Sequence, residues 1–114
     1  MTIKKLLISN RGEIASRIIK SAHDMGITCV AIYTEADKNT PYVREADQSF
    51  KLSDSYLNAK EILEIAKKNN VDAIHPGYGF LSENANFANN VKKAGIKWVG
   101  PSANAIKKMG DKIT

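Results

Sequence analysis

Two kinds of hydrophobic pattern take turns along the chain. Short apolar blocks with little polar alternation lie at residues 6–8, 29–33, 50–52, 73–75 and 98–99. Blocks of this length, mostly bounded by turn residues, suit strands buried on both faces of a parallel sheet. Between them, apolar residues recur every three or four positions. Over 13–25 the stripe is Ile14, Ile18, Ala22 and Met25, widened by Ala15 and Ile19, which predicts a helix with one apolar face. Asn10 is its candidate N-cap, with Glu13 three residues on, and Gly26 supplies the stop. A second helix has Asn58 as cap, Glu61 closing the box, Leu57 as a staple onto Ile62, and the stripe Ala59, Ile62, Leu63 and Ala66; Asn69-Asn70 end it. A third is predicted over 83–94, capped by Ser82, with Phe87, Ala88 and Val91 inward and Gly95 at its end. A short fourth follows Pro101-Ser102 and stops near Gly110. The polar segment 34–48 contains Pro41 and is read as a loop with one helical turn near 41–46.

The order is therefore β-α-β-(short)-β-α-β-α-β-α. Such alternation predicts an α/β fold: a three-layer, Rossmann-like domain with a parallel sheet of about five strands and helices on both faces. A chain of 114 residues fits one compact domain.

Composition narrows the function classes. Hydrophobic residues are 43% and charged residues 25% of the chain, ordinary for a soluble globular protein. No apolar run has bilayer-spanning length, and the first eight residues do not form a signal peptide, so the expected location is cytoplasmic, without a membrane partner. The single cysteine, Cys29, has no intrachain disulfide partner and is read as a small core residue. The net charge is +5 and the pI is about 9.4. Yet most of the positive charge is scattered lysine, and no aromatic residues interleave with it as in single-strand binders. Solvated faces and a site for anionic ligands account for this charge; no nucleic-acid partner is expected.

In an open α/β sheet, ligands bind beyond the carboxyl ends of the strands. Two such ends stand out. Ser9-Asn10-Arg11-Gly12-Glu13 follows the first strand with a single glycine in place of a G-x-G-x-x-G set. Glu35 or Asp37, after the second strand, is a candidate to hold a ribose. A capped helix with a Glu13–Arg17 pair is the simpler account. His75-Pro76-Gly77-Tyr78-Gly79-Phe80 follows the fourth strand. Its glycines permit left-handed backbone and expose amide groups, and Tyr78 is held out between them. Such a turn is built for a ligand or serves only to reverse the chain; spacing alone leaves both open. His75 is read as structural. Spacing shows no metal-ligand cluster, with His23 and His75 far apart, and no complete catalytic set.

Taken in order, these segments resemble biotin carboxylase, the ATP-using component of acetyl-CoA, propionyl-CoA and pyruvate carboxylases. The anchors are Asn10-Arg11-Gly12-Glu13-Ile14-Ala15, Glu35-Ala36-Asp37, Ala46-Asp47, Ser55-Tyr56-Leu57-Asn58, Ala73 through Asn84 with the glycine turn at its centre, Val99-Gly100-Pro101-Ser102 and Met109-Gly110-Asp111-Lys112. The loop after Leu52 is shorter than is usual in the family, which bears on subfamily and not on family. The resemblance implies a pre-ATP-grasp N-terminal domain over 1–114, with the ATP-grasp and C-terminal domains lying outside this chain. It implies use of ATP, Mg2+ and bicarbonate to carboxylate biotin linked to a carrier protein. Lys112 matches a lysine that contacts ATP phosphates, a role suited to an ammonium group. Tyr78 and Gly79 match positions beside the biotin ureido ring. The first helix matches one used in a homodimer contact, which places Arg17, Lys20 and Asp24 near a partner subunit. The implied partners are the remaining biotin carboxylase domains, the biotin carboxyl carrier and the carboxyltransferase component. The general base and magnesium carboxylates are expected from the later domains, so the 114-residue chain by itself is expected to hold none of these ligands tightly and to turn over no ATP. A stand-alone nucleotide- or anion-binding module and a structural docking domain remain alternatives.

Overall fold

A computed structural model describes residues 3–100 and 105–106. Five strands, β1 (Lys5–Ile8), β2 (Thr28–Tyr33), β3 (Gln48–Lys51), β4 (Ala73–His75) and β5 (Lys97–Trp98), alternate with helices α1 (Gly12–Asp24), α2 (Pro41–Glu45), α3 (Ala59–Lys68) and α4 (Ala85–Lys93). Single 3-10 turns occupy Glu35–Asp37 and Phe80–Glu83. The sheet is parallel throughout, in the order β3-β2-β1-β4-β5. Leu7 lies opposite Val30 on one side and Ile74 on the other. This is the predicted α/β architecture.

The non-alternating strands bury side chains on both faces, and each face has its own core. Leu7, Val30, Ile32 and Ile74 pack with Ile62 and Ala66 of α3 and with Phe87, Ala88 and Val91 of α4. Phe87 meets Trp98 edge-on, ring centroids 5.6 Å apart. On the other face Leu6, Ile8, Cys29, Ala31 and Ala73 meet Ala15, Ile19 and Ala22 of α1 and Tyr42 of α2. Small residues on both sides there bring α1 close to the sheet. Among the described residues no helix is long and apolar enough to cross a membrane.

Several local expectations change. The helix α1 begins at Gly12 with Arg11 in the capping position and no side-chain cap, because Asn10 is engaged elsewhere. Asn58 caps α3 as expected, accepting from the Glu61 amide at 3.1 Å. The Glu61 carboxylate does not return to the cap; it accepts from the Ser53 amide and hydroxyl at 2.9 and 2.6 Å. Leu57 is 60% exposed and staples nothing into the core. The third predicted helix is split: Ser82 lies in the 3-10 turn, and Asn84 caps α4 by accepting from the Phe87 amide at 2.9 Å. The fourth predicted helix falls mostly outside the described residues, of which 105–106 are helical.

Candidate functional site at the carboxyl end of the sheet

The strand order reverses at β1: β2 and β3 lie on one side of it, β4 and β5 on the other. The crevice outside the carboxyl ends of β1 and β4 is the place where such sheets bind ligands. Both motif loops meet there. Ile8 pairs with His75, and the Ser9 amide donates to the His75 carbonyl at 2.9 Å, so the two chains leave the sheet side by side.

Asn10 ties them together. Its side chain is fully buried, and its amide nitrogen donates to the carbonyls of Pro76 and Tyr78 at 2.8 and 2.7 Å. Its carbonyl oxygen accepts from the Arg11 amide at 2.8 Å. A helix cap at this position has become a clamp between loops 66 to 68 residues apart in sequence.

The turn itself depends on two glycines for different reasons. Gly77 has φ +65°, and a Cβ there would stand 2.6 Å from Asn10 Nδ2 and 3.1 Å from Ile14 Cγ2; both the backbone and the space forbid a side chain. Gly79 has φ +69°, but a Cβ would meet nothing within 4 Å, so its surface is open. The Gly77 amide donates to His75 Nδ1 at 3.1 Å. Burial lowers the His75 pKa, which keeps the ring neutral with Nδ1 as acceptor. His75 therefore holds the turn, in line with its structural reading. Tyr78 is 78% exposed at the tip. It flanks a groove of about 670 Å³ that also takes in Ile14, Ile18, His75 and Val99.

A second network braces the first from the side of β2. Arg11 grips Asp37 through two bonds of 2.7 Å, Nε to Oδ2 and Nη2 to Oδ1, a bidentate pairing that fixes both planes. Tyr56 donates to the same carboxylate, and Tyr42 and Tyr56 hydroxyls lie 2.7 Å apart. Tyr42 reaches the Ile32 carbonyl at 3.0 Å, and the Thr34 amide donates to Tyr56 at 3.1 Å. Bonding to Arg11 holds the Asp37 carboxyl below the usual carboxylate range, with Tyr56 assisting against the opposing cost of burial. The Tyr56 ring packs on Phe80 at 5.4 Å, so the network closes around the glycine turn. Asp37 is thus committed to protein partners. Glu35 is exposed and paired with Lys38 and Lys51 at 3.4 and 3.6 Å. Neither is presented to a ribose, which removes the dinucleotide reading of this loop.

The structure brings Tyr78 and Gly79 together at the crevice; Lys112 lies outside the described residues. Arg17, Lys20 and Asp24 line one shallow concavity with Ser16, His23 and Glu45 on the outer side of α1. The clamp by Asn10 and the Arg11–Asp37–Tyr56–Tyr42 chain were not foreseen from sequence. The available signal was a run of polar residues directly after buried strands.

The model of the biotin carboxylase N-terminal domain matches residues 2–106. The chain belongs to this family. It is 54% identical to biotin carboxylase 1 of Bacillus subtilis, over 96% of this chain and 26% of the relative. Its fold superposes on the complete multifunctional pyruvate carboxylase of Rhizobium etli with a TM-score of 0.93 at 40% identity, over 99% of this chain and 12% of that one. It also matches the biotin carboxylase domain dimer of Hydrogenobacter thermophilus 2-oxoglutarate carboxylase, solved with MgADP, ADP and bicarbonate, at TM-score 0.90 and 41% identity, over 94% of this chain and 24% of that one. The chain spans about a quarter of the biotin carboxylases it matches and less of the multidomain enzyme.

Proposed function

We propose that the chain supplies one wall of a biotin carboxylase active site, in an enzyme that uses ATP and bicarbonate to carboxylate carrier-linked biotin. The observation that carries this reading is the Asn10-clamped glycine turn at the switch point of a domain whose family match runs nearly end to end. The Gly79 amide has no acceptor among the described residues, and the space around its Cα is open. These features fit a planar urea: the amide donates to the ureido oxygen, and Tyr78 flanks the ring. When bound, biotin supplies the nitrogen that accepts the carboxyl group. The chain's own part is to hold that ring at a fixed distance from the rest of the site and to cover one side from water.

Lys112 is assigned to the ATP phosphates on the motif alone. The carboxylates near this crevice, Asp37 and Glu35, already have cationic partners, so magnesium is left to residues of the later domains and no step is routed through it here. The remaining domains account for the length of the relatives beyond this span, and the apolar groove beside Tyr78 gives them a seat. The concavity with Arg17, Lys20 and Asp24 is assigned to a homodimer contact; the Hydrogenobacter relative is itself a domain dimer. The carrier and carboxyltransferase components and a cytoplasmic location belong to the same proposal.

The test is an exchange. This chain replaces the matching quarter of Bacillus subtilis biotin carboxylase 1, and biotin-dependent, bicarbonate-dependent ATP cleavage is measured. The chimera is expected to be active, and Tyr78→Ala in it to raise the KM for biotin several-fold with the KM for ATP unchanged. The 114-residue chain alone is expected to be inert. A folded but inactive chimera, or turnover by the chain alone, would overturn the assignment.

A further inference from the structure

The opposite end of the sheet holds a second cluster, of which His23 alone borders the concavity assigned above to the homodimer contact. His23 is in the last turn of α1, Cys29 is the second residue of β2, and Asp47 directly precedes β3. The fold brings one ligand atom from each to within 4.8 Å of the other two. Asp47 Oδ2 lies 2.8 Å from His23 Nε2 and accepts the Cys29 amide at 2.8 Å, while the Asp47 amide donates to the Cys29 carbonyl at 3.0 Å. The thiol is buried; His23 and Asp47 are exposed above it.

We propose that His23, Cys29 and Asp47 form a zinc site at the amino end of the sheet. Thiolate, imidazole and carboxylate together suit zinc among biological cations, since magnesium and calcium favour sites made of oxygen alone. A tetrahedral ion 2.0–2.3 Å from each donor spaces its ligands by roughly 3.3–3.8 Å. An ion seated among all three would open the 2.8 Å His23–Asp47 contact and draw the sulfur in from the observed spread of up to 4.8 Å. The buried sulfur lies under them, so the ion enters from the solvent side between His23 and Asp47. Three protein ligands leave a fourth position for water. On binding, the thiol proton leaves to solvent as the sulfur–zinc bond forms. The hydrogen that His23 Nε2 gives to Asp47 moves, by exchange with water, to Nδ1, which frees the Nε2 lone pair for the ion. The Cys29 amide, fixed in the β2–β3 edge, orients the Asp47 carboxylate from behind, the outer-shell support that metal ligands require.

The probe is Co2+, which occupies zinc sites and gives a thiolate-to-cobalt charge-transfer absorption. Cys29 is the single cysteine of the chain, so any such band reports this sulfur directly. One equivalent of Co2+ is expected to produce the band in the 114-residue chain, and Zn2+ to erase it by displacement. Cys29→Ala is expected to abolish it. Because that substitution touches the core, the surface variants His23→Gln and Asp47→Asn carry the second test, each expected to weaken Co2+ binding at least tenfold. A folded wild-type chain that shows no band in excess Co2+ overturns the site. So does a band whose midpoint in both surface variants equals that of the wild type.

Discussion

The two ends of this sheet carry side-chain clusters of similar size and opposite character. At the carboxyl end, Asn10, Arg11, Asp37 and Tyr56 are bonded to one another or to carbonyls of the glycine turn, and most of them are buried. At the amino end, His23 and Asp47 sit exposed over one buried thiol. Burial and the neighbouring Asp47 charge push that thiol up to about 11, so without an ion it is an inert protonated group. The first cluster holds a shape; the second holds donors for something else. The physical difference is satisfaction. At the carboxyl end the Asn10 bonds hold the turn directly and the Arg11–Asp37–Tyr56 bonds brace it from the side, so the loss of a buried partner leaves polar groups unpaired. At the amino end the His23 ring and the Asp47 carboxylate face water, and removal of the His23 ring leaves little unsatisfied, although Asp47 also satisfies the amide of buried Cys29.

Substitutions at the two ends sharpen or break this contrast. The largest effect is expected from Gly77→Val. It places a side chain into Asn10 and Ile14 on a left-handed backbone, at a cost of about 2–5 kcal/mol, seen as a lower urea midpoint. If Gly77→Val unfolds no earlier than wild type, the turn is not clamped as described.

Asp37→Asn comes next, with a loss of about 1.5–3 kcal/mol at neutral pH. Its pH dependence has a fixed sign. Arg11 lowers the folded-state pKa of Asp37 below the unfolded value of about 3.9. The stabilisation is therefore complete above about pH 5 and is lost as pH falls through the folded-state value. Stability curves of wild type and Asp37→Asn should converge in acid; parallel curves down to the folded-state value would mean that the ion pair is not formed in solution.

Asn10→Ala is expected to cost about 1–3 kcal/mol by stranding the Pro76 and Tyr78 carbonyls, and to speed amide hydrogen exchange in residues 76–82. Unchanged exchange there would show that the turn keeps its form without the clamp. The smallest effect is expected from His23→Gln at the other end, within about 0.5 kcal/mol in metal-free buffer. A loss there as large as that of Asn10→Ala would erase the distinction between the two ends.

The fold was largely legible because its strands are buried on both faces, which removes alternation and leaves contiguous apolar blocks that sequence shows directly. Boundaries moved where side chains took unforeseen partners. The first helix lost its cap because Asn10 found buried carbonyls across the sheet, and the third broke because Asn84, not Ser82, met the amide of Phe87. The glycine turn was legible as a unit since its residues are consecutive. The braces around it were not, because Asp37 reaches Arg11 only after the α1 crossover has set β2 beside β1, and Tyr56 only after the α2 crossover has added β3.

By itself, then, the sequence determined the layer order, the parallel sheet, the family and the turn with Tyr78 at its tip. These rest on local periodicity and on contiguous residues. The tertiary structure alone decided which polar groups meet. The strand order placed Asn10 against a turn 66 residues away and gathered His23, Cys29 and Asp47 from three elements. Spacing along the chain carries no record of such meetings, because they depend on register between strands and on the face from which each helix returns.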